Sequence, residues 1–298
     1  MIAPPADHNP TVKDYTITTR HPKDGSPRVG VVSSSKDGIV VTESVIPKLN
    51  APLILVHGLC GFDRLYAFRR PVIDYFPGVR EQLEAAGNRV YSARLSPTAG
   101  IASRAADLKQ FIEKSVPAGP VHIIGHSLGG LDARYMVSRL GMERRVLSLT
   151  TIATPHRGTS FADWGVRRFA RLLVPVLRAI GLPYQAFYDL MTDSCRRFNE
   201  DVPNVPDVRY YSVAGRCESP WVGPEWRFPW RVVSRAEGPN DGVVSVTSAA
   251  WGESTDVWAG DHLNLVNWPN RRARRLGVWS ELAPDYGRIV RRLAAVGF

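Results

Sequence analysis

The stretch that decides the fold is VHIIGHSLGG, Val121 to Gly130. A short apolar run stops at a histidine and a serine, and glycines fence the serine on both sides. Polar residues at the end of a buried strand cost stability unless they are hydrogen-bonded or put to use. The glycines mark backbone so tightly bent, or so closely approached, that a Cβ would collide. Gly125, Ser127 and Gly129 satisfy the pattern G-x-S-x-G. With Gly and Ser each at roughly 7% usage, about one chain in ten of this length carries that pattern by chance. Position gives it meaning. It follows a predicted buried strand and opens a predicted helix, the context in which a sharp turn lifts a serine hydroxyl clear of a sheet. The alternative is a serine N-cap at a glycine-rich turn.

Outward from this point the pattern alternates. Upstream, PLILVHG (Pro52 to Gly58) is a continuous apolar run ending in glycine, as expected of a strand buried on both faces. A helix is expected around Ile73 to Ala86, closed by Gly87, and NRVYSARL supplies another strand. Ile101, Ala105, Leu108, Phe111 and Ile112 recur at helical spacing, with Pro117 as a stop. Downstream of the serine, SLGGLDARYMVSRLG reads as a helix ended by Gly141, VLSLTTIATP as a strand and VRYYSVAG as a later one. Strand–helix alternation of this kind predicts an α/β fold, a mainly parallel central sheet with helices on both faces. Residues 1–50 read as an N-terminal extension with a peripheral strand in GIVVTES, and residues 51–298 as the main domain.

Between Thr159 and Asn199 the alternation stops, and two helical stretches with crowded apolar faces and scattered arginines take its place. This insertion, at about 159–200, is either a packed subdomain or a mobile cap over a ligand site.

The 298 residues hold 44% hydrophobic and 22% charged side chains, ordinary values for a globular protein. The net charge of +10 is less ordinary. An anionic partner is one reading of it, and a solvated arginine-rich surface the other. The densest basic cluster, NRRARRLG (Asn270 to Gly277), lacks the interleaved aromatic platform that single-stranded nucleic acid needs, so no nucleic-acid partner is expected. No run approaches the ~20 apolar residues of a membrane span. MIAPPADHNP has none of the marks of an export signal, which points to a cytoplasmic protein or to a processed or truncated secreted form. Three cysteines, Cys60, Cys195 and Cys217, exclude a disulfide framework, leaving three thiols or a single Cys195–Cys217 bridge.

A serine is a poor nucleophile until a base takes its proton. Of seven histidines, only His156 and His262 follow Ser127, as the chain order of this arrangement requires. His156 sits at the end of the very next strand, leaving no room for an acid before it. His262, in VWAGDHLNLVN, fits. The acid that orients the imidazole is expected at Asp241, on the turn GPNDGVVSV before a β-rich run; Asp261 and Asp256 are rivals. Oxyanion donors are expected from the backbone N–H groups of Leu128, directly after the serine, and Leu59, in the loop LVHGLCG. His57 is expected to pin that loop through its ring.

Together HGLCGF, GHSLGG, TPHRGTSFAD, NDGVVS and DHLNLVN, in this order between Pro52 and Trp268, resemble the bacterial true lipases of the α/β-hydrolase superfamily. The resemblance implies ester hydrolysis through an acyl-enzyme, with Ser127, Asp241 and His262 catalytic and Leu59 and Leu128 as the oxyanion hole. It also implies a helical lid within the 159–200 insertion and transient contact with a lipid interface. No organic cofactor is expected. Many relatives hold a structural calcium with an aspartate two residues after the histidine; here that position is Asn264, which keeps an oxygen and loses the charge a hard cation prefers. The leading expectation is a lipase or carboxylesterase. A polyesterase or acyltransferase would use the same residues, and a non-catalytic binding protein would keep the fold without them.

Overall fold

A computed structural model describes residues 31–35, 38–42, 45–59, 61, 64–67, 70–179, 184–219, 221–275 and 284–298. The chain divides into two compact units, residues 1–45 and 46–298. In the first, strands β1 (Val31–Ser35) and β2 (Gly38–Thr42) form an antiparallel hairpin with Val31 opposite Thr42.

The second unit carries β3 (Leu53–Val56), an antiparallel pair β4 (Arg64–Ala67) and β5 (Arg70–Asp74), α1 (Val79–Ala85), β6 (Val90–Ala93) and α2 (Ile101–Ser115). Then come β7 (Val121–His126), α3 (Leu128–Arg139) and β8 (Val146–Ile152). Three helices follow: α4 (Ser160–Ala179), α5 (Gln185–Asp189) and α6 (Thr192–Asp201). The chain continues through β9 (Arg209–Arg216), α7 (Arg227–Ala236), α8 (Val246–Ala249), β10 (Ser254–Ala259), α9 (Arg271–Arg275) and α10 (Tyr286–Ala295).

Six strands make one parallel sheet in the order β10-β9-β8-β7-β3-β6. Side chains alternate across a strand, so a run buried on both faces feeds two cores. Leu53 and Leu55 join Val79 and Leu83 of α1 and Ile289, Val290 and Leu293 of α10 on one face. Ile54 and Val56 join Leu108 and Ile112 of α2 and Met136 and Val137 of α3 on the other. The sheet is thus covered on both sides, which is why β3 and β7 read as unbroken apolar runs.

The order of strands positions the site. From β3 the chain moves to β6 on one side and then returns to β7 on the other. Open parallel sheets bind ligands at such a switch point, outside the carboxyl ends of the strands. The loop after β3 and the turn after β7 meet there.

Two expectations need correction. The helix expected from Ile73 starts only at Val79, because Ile73 and Asp74 close β5 and Pro77-Gly78 breaks the chain, Gly78 standing at φ 76°. The run GVVSV after Asp241 is not a strand. Asp241 Oδ1 accepts the N–H groups of Val243 and Val244 at 2.9 and 2.8 Å, curling the backbone away from ladder pairing and into the short α8.

Candidate active site

At Ser127 the chain turns from β7 directly into α3 with φ 53° and ψ −128°, a conformation non-glycine residues rarely hold. The turn is locked from several sides. Ser127 N–H donates to Ile152 O at 2.8 Å, and the Thr154 hydroxyl donates to Ser127 O at 2.8 Å. A Cβ on Gly129 would stand 2.7 Å from His57 O, and one on Gly58 would stand 2.8 Å from Ser127 Cβ. Both glycines are therefore required by close approach: the loop after β3 lies against the turn after β7.

That approach brings Leu59, next to Gly58, into the neighbourhood of Leu128, the residue after the serine. Neither backbone N–H has an acceptor among the described residues. The Leu59 loop is held by its neighbours. His57 Nδ1 donates to Gly58 O at 2.9 Å while its Nε2 accepts Leu95 N–H at 3.1 Å, so the ring pins the loop to the segment after β6. Arg104, wholly buried, donates from Nη2 to His57 O at 2.8 Å and from Nη1 to Ser96 O at 2.7 Å. Its Nε meets Asp132 Oδ2 at 2.8 Å. Burial pushes the Asp132 carboxyl up to about 7, against the opposing pull of Arg104.

His262 and Asp241 come together. His262 Nδ1 stands 2.7 Å from Asp241 Oδ2, and His262 N–H donates to Asp241 O at 2.8 Å. Asp241 is fully buried, with Oδ1 taken by Val243 and Val244, so Oδ2 is left for the imidazole. His262 Nε2 has no partner among the described residues. The ring lies 4.6 Å, centroid to centroid, from that of His126, the residue before the serine, and 5.9 Å from that of Trp226. Both rivals for the acid are engaged elsewhere. Asp256 pairs with Arg292 at 2.6 Å, and Asp261 accepts from Asn270 Nδ2, Gly223 N–H and Asn264 N–H.

His156 lies in a different environment. Arg134 Nη1 donates to its Nδ1 at 3.2 Å, and its Nε2 donates to Thr151 Oγ1 at 2.9 Å. The ring stacks on Trp251 at 5.0 Å, and burial drives its pKa well down. Both ring nitrogens are spent on the fold.

Beside His262 the side-chain oxygens of Asn264 and Asp261 are engaged in the fold. Asn264 Oδ1 accepts Asp261 N–H at 2.9 Å, and both Asp261 oxygens accept protein N–H donors. Among the described residues no three His, Cys, Asp or Glu side chains are arranged to hold a metal. Cys195 and Cys217 are buried free thiols, so the bridge between them is not formed; Cys60 lies outside the described residues. No helix among the described residues is long and apolar enough to cross a membrane.

Sequence reasoning missed the groups that hold the site in shape, Tyr75, Arg104 and Asp132, and it did not find α7. One signal was available. Arg104 sits on the buried stripe of α2 with Ile101, Ala105 and Leu108, where an unpaired cation would be intolerable.

The sheet order, the strained serine at the switch point and the histidine–carboxylate pair beside it define a class, the α/β hydrolases. Residues 51–213 match the family model of the alpha/beta hydrolase fold, and the chain belongs to that family. Within it the chain is lipase-like. It is 30% identical to triacylglycerol lipase 2 of Saccharomyces cerevisiae over 88% of this chain and 96% of that one. It is 28% identical to a triacylglycerol lipase of Vibrio cholerae over 72% of this chain and 79% of that one. Among solved structures it resembles the lipase of Staphylococcus hyicus, with a TM-score of 0.65 at 18% identity over 85% of this chain and 98% of that chain, a likeness of fold.

Proposed function

We propose that this lipase-like hydrolase cleaves carboxylic esters, acylglycerols foremost, through an acyl-enzyme on Ser127. His262 Nε2 takes the hydroxyl proton as Ser127 Oγ attacks the ester carbonyl carbon. Asp241 holds the ring so that Nε2 faces the serine and stabilises the imidazolium that forms. The N–H groups of Leu59 and Leu128 receive the oxyanion, and the N-terminus of α3 adds its dipole to the same charge. Collapse of the tetrahedral intermediate expels the alcohol, which leaves with the proton from His262. Water, deprotonated by the same ring, then releases the acid and restores the serine. The observation that carries this reading is the 2.7 Å contact between His262 Nδ1 and Asp241 Oδ2 at the elbow of Ser127. Acylglycerols are favoured because the relatives named above are triacylglycerol lipases.

The three helices between β8 and β9 would act as the cap. Ala186, Leu190 and Cys195 of the cap region pack with Leu128 and Leu131 at the start of α3, directly beside the serine. Activity against p-nitrophenyl esters from acetyl to oleoyl tests the function, with Ser127→Ala as the control that must be inactive. A steep rise in rate once a long-chain substrate forms droplets is expected if the cap opens at an interface. A smooth saturation curve through that point would contradict a moving cap and leave ester hydrolysis standing.

A further inference from the structure

Away from the serine, the face built by α4 and α7 combines clustered aromatic rings with arginines unpaired among the described residues. Four aromatic rings touch there. Trp164 of α4 lies 4.7 Å from Phe228 of α7, 6.0 Å from Phe161 and 5.3 Å from Phe169. Phe228 is 48% exposed and Phe169 39%, so two of the four rings spend much of their surface on water. Large apolar side chains clustered and exposed in this way mark a surface that meets something.

Arginines surround the rings. Arg167, Arg168 and Arg171 of α4 and Arg227, Arg231 and Arg235 of α7 are exposed, and none pairs with a carboxylate among the described residues. Arginines elsewhere on this surface commonly do pair, as Arg80 does with Glu84, Arg209 with Glu253 and Arg216 with Glu218. The one acid on the first turn of α4, Asp163, is turned inward to accept from Thr192 N–H and Thr192 Oγ1. Glu225 remains exposed on the turn before α7, against three arginines on the helix itself. At ~100° per residue, Phe228, Arg231 and Arg235 fall on one face of α7, opposite buried Pro229 and Val233. Beside this face a cavity of about 280 Å³ opens, lined by Ser219, Val222, Arg227, Trp230, Arg231 and Arg272. Three guanidinium groups and a hydroxyl around a space of this size suit a phosphate group.

We propose that the α4–α7 face docks the protein on anionic phospholipid surfaces, the arginine-lined cavity taking a phosphate headgroup and the aromatic cluster entering the interfacial layer. The rings decide between a lipid and a free anion: a soluble phosphate offers them nothing, whereas aromatic side chains favour the membrane–water boundary. The arginines decide between an anionic and a neutral lipid surface, because each basic side chain near an anionic leaflet adds to the attraction. The inference does not rest on the acyl-enzyme reading.

Co-sedimentation with vesicles tests it. The intact protein is expected to partition onto phosphatidylcholine vesicles doped with phosphatidylglycerol and only weakly onto phosphatidylcholine alone. Arg227→Gln/Arg231→Gln should weaken anionic partitioning by about tenfold or more. Phe228→Ser should weaken it too, whereas Arg139→Gln/Arg144→Gln, the same loss of charge at the far end of α3, should change it far less. All these variants should keep wild-type activity on p-nitrophenyl acetate, which shows that they fold. Ser127→Ala should bind vesicles as the wild type does, so that loss of catalysis and loss of docking are read separately. Equal partitioning of the wild type and Arg227→Gln/Arg231→Gln would overturn the proposal. So would equal effects of the two arginine pairs, or a thermal shift with inorganic phosphate in a protein that ignores anionic vesicles.

Discussion

Tyr75 Oη stands 2.8 Å from His126 Nδ1 and accepts the Gly58 N–H at 3.1 Å. His126 Nε2 is bonded to the carbonyl of His262 at 3.1 Å. That carbonyl can only accept, so Nε2 carries the proton, Nδ1 accepts, and the tyrosine hydroxyl must donate to it. One chain of hydrogen bonds therefore runs from the loop bearing Leu59, through Tyr75 and the residue before Ser127, to the loop bearing His262. Burial drives the pKa of His126 well down, with the nearby His262 acting in the same direction, so the ring stays neutral and the direction of the chain is fixed.

Tyr75→Phe should break this chain while keeping the ring's packing on Phe76. Gly58 N–H and His126 Nδ1 would be left buried without their partner, at a cost of about 1–3 kcal/mol in stability. Because the Tyr75 hydroxyl is engaged with Gly58 and His126, Tyr75 is expected to act as a positioning residue, so kcat should fall several-fold with KM for a short ester little changed. Urea unfolding and steady-state kinetics on the same preparation check both. An unchanged kcat at reduced stability would make Tyr75 a purely structural residue.

His156→Ala and His262→Ala should separate cleanly. Losing His262 removes the proposed base and should lower kcat by on the order of a thousandfold or more with little change in stability. Losing His156 takes a partner from Arg134, a buried cation pushed down to about 9 and stacked 3.7 Å from Trp251. It should cost about 2–4 kcal/mol of stability and less than tenfold in kcat. The reverse order of kcat effects would place the base at the wrong histidine.

The pH dependence of stability has a readable component at the opposite end of β7. His122 is buried, bonds Ser148 Oγ at 2.8 Å, and burial pushes its pKa down from 6.5 to about 4. In the unfolded chain it takes up a proton below about 6.5, which the folded state refuses until about pH 4. Stability from this group is therefore whole above pH 6.5 and lost as pH falls toward 4, by about 3 kcal/mol in total. Asp132 and Asp261, whose burial raises them to about 7 and about 6, act in the opposite sense. The difference between wild type and His122→Gln isolates the histidine: the advantage of the wild type should grow as pH rises from 4.5 to 6.5. A flat difference would contradict a neutral buried His122.

What could be read in the sequence was local. The elbow at Ser127 and the apolar runs of β3 and β7 announce themselves within ten residues, because strand burial and a tight glycine turn each leave their mark on neighbouring positions. The pairing of His262 with Asp241 followed from chain order, and the structure brings the two together. The supporting shell was not legible, because its bonds join residues far apart: Tyr75 to His126 across 51 positions and Arg104 to His57 across 47. Nothing in DYFPGV says which hydroxyl will meet which ring. The strand expected after Asp241 failed for a related reason. Val243 and Val244 favour strands, but one carboxylate oxygen captures both their N–H groups before a ladder can form.

The central claim is that Ser127 becomes a nucleophile through His262 and Asp241. Reaction with an alkyl phosphonate ester, followed by peptide mass mapping, tests it most directly, since the phosphonate traps whichever oxygen attacks. One adduct is expected, on the peptide carrying Ser127, formed quickly in the wild type, slower by orders of magnitude in His262→Ala and intermediate in Asp241→Asn. An adduct on another residue, or labelling of Ser127 at the same rate in all three proteins, would contradict it.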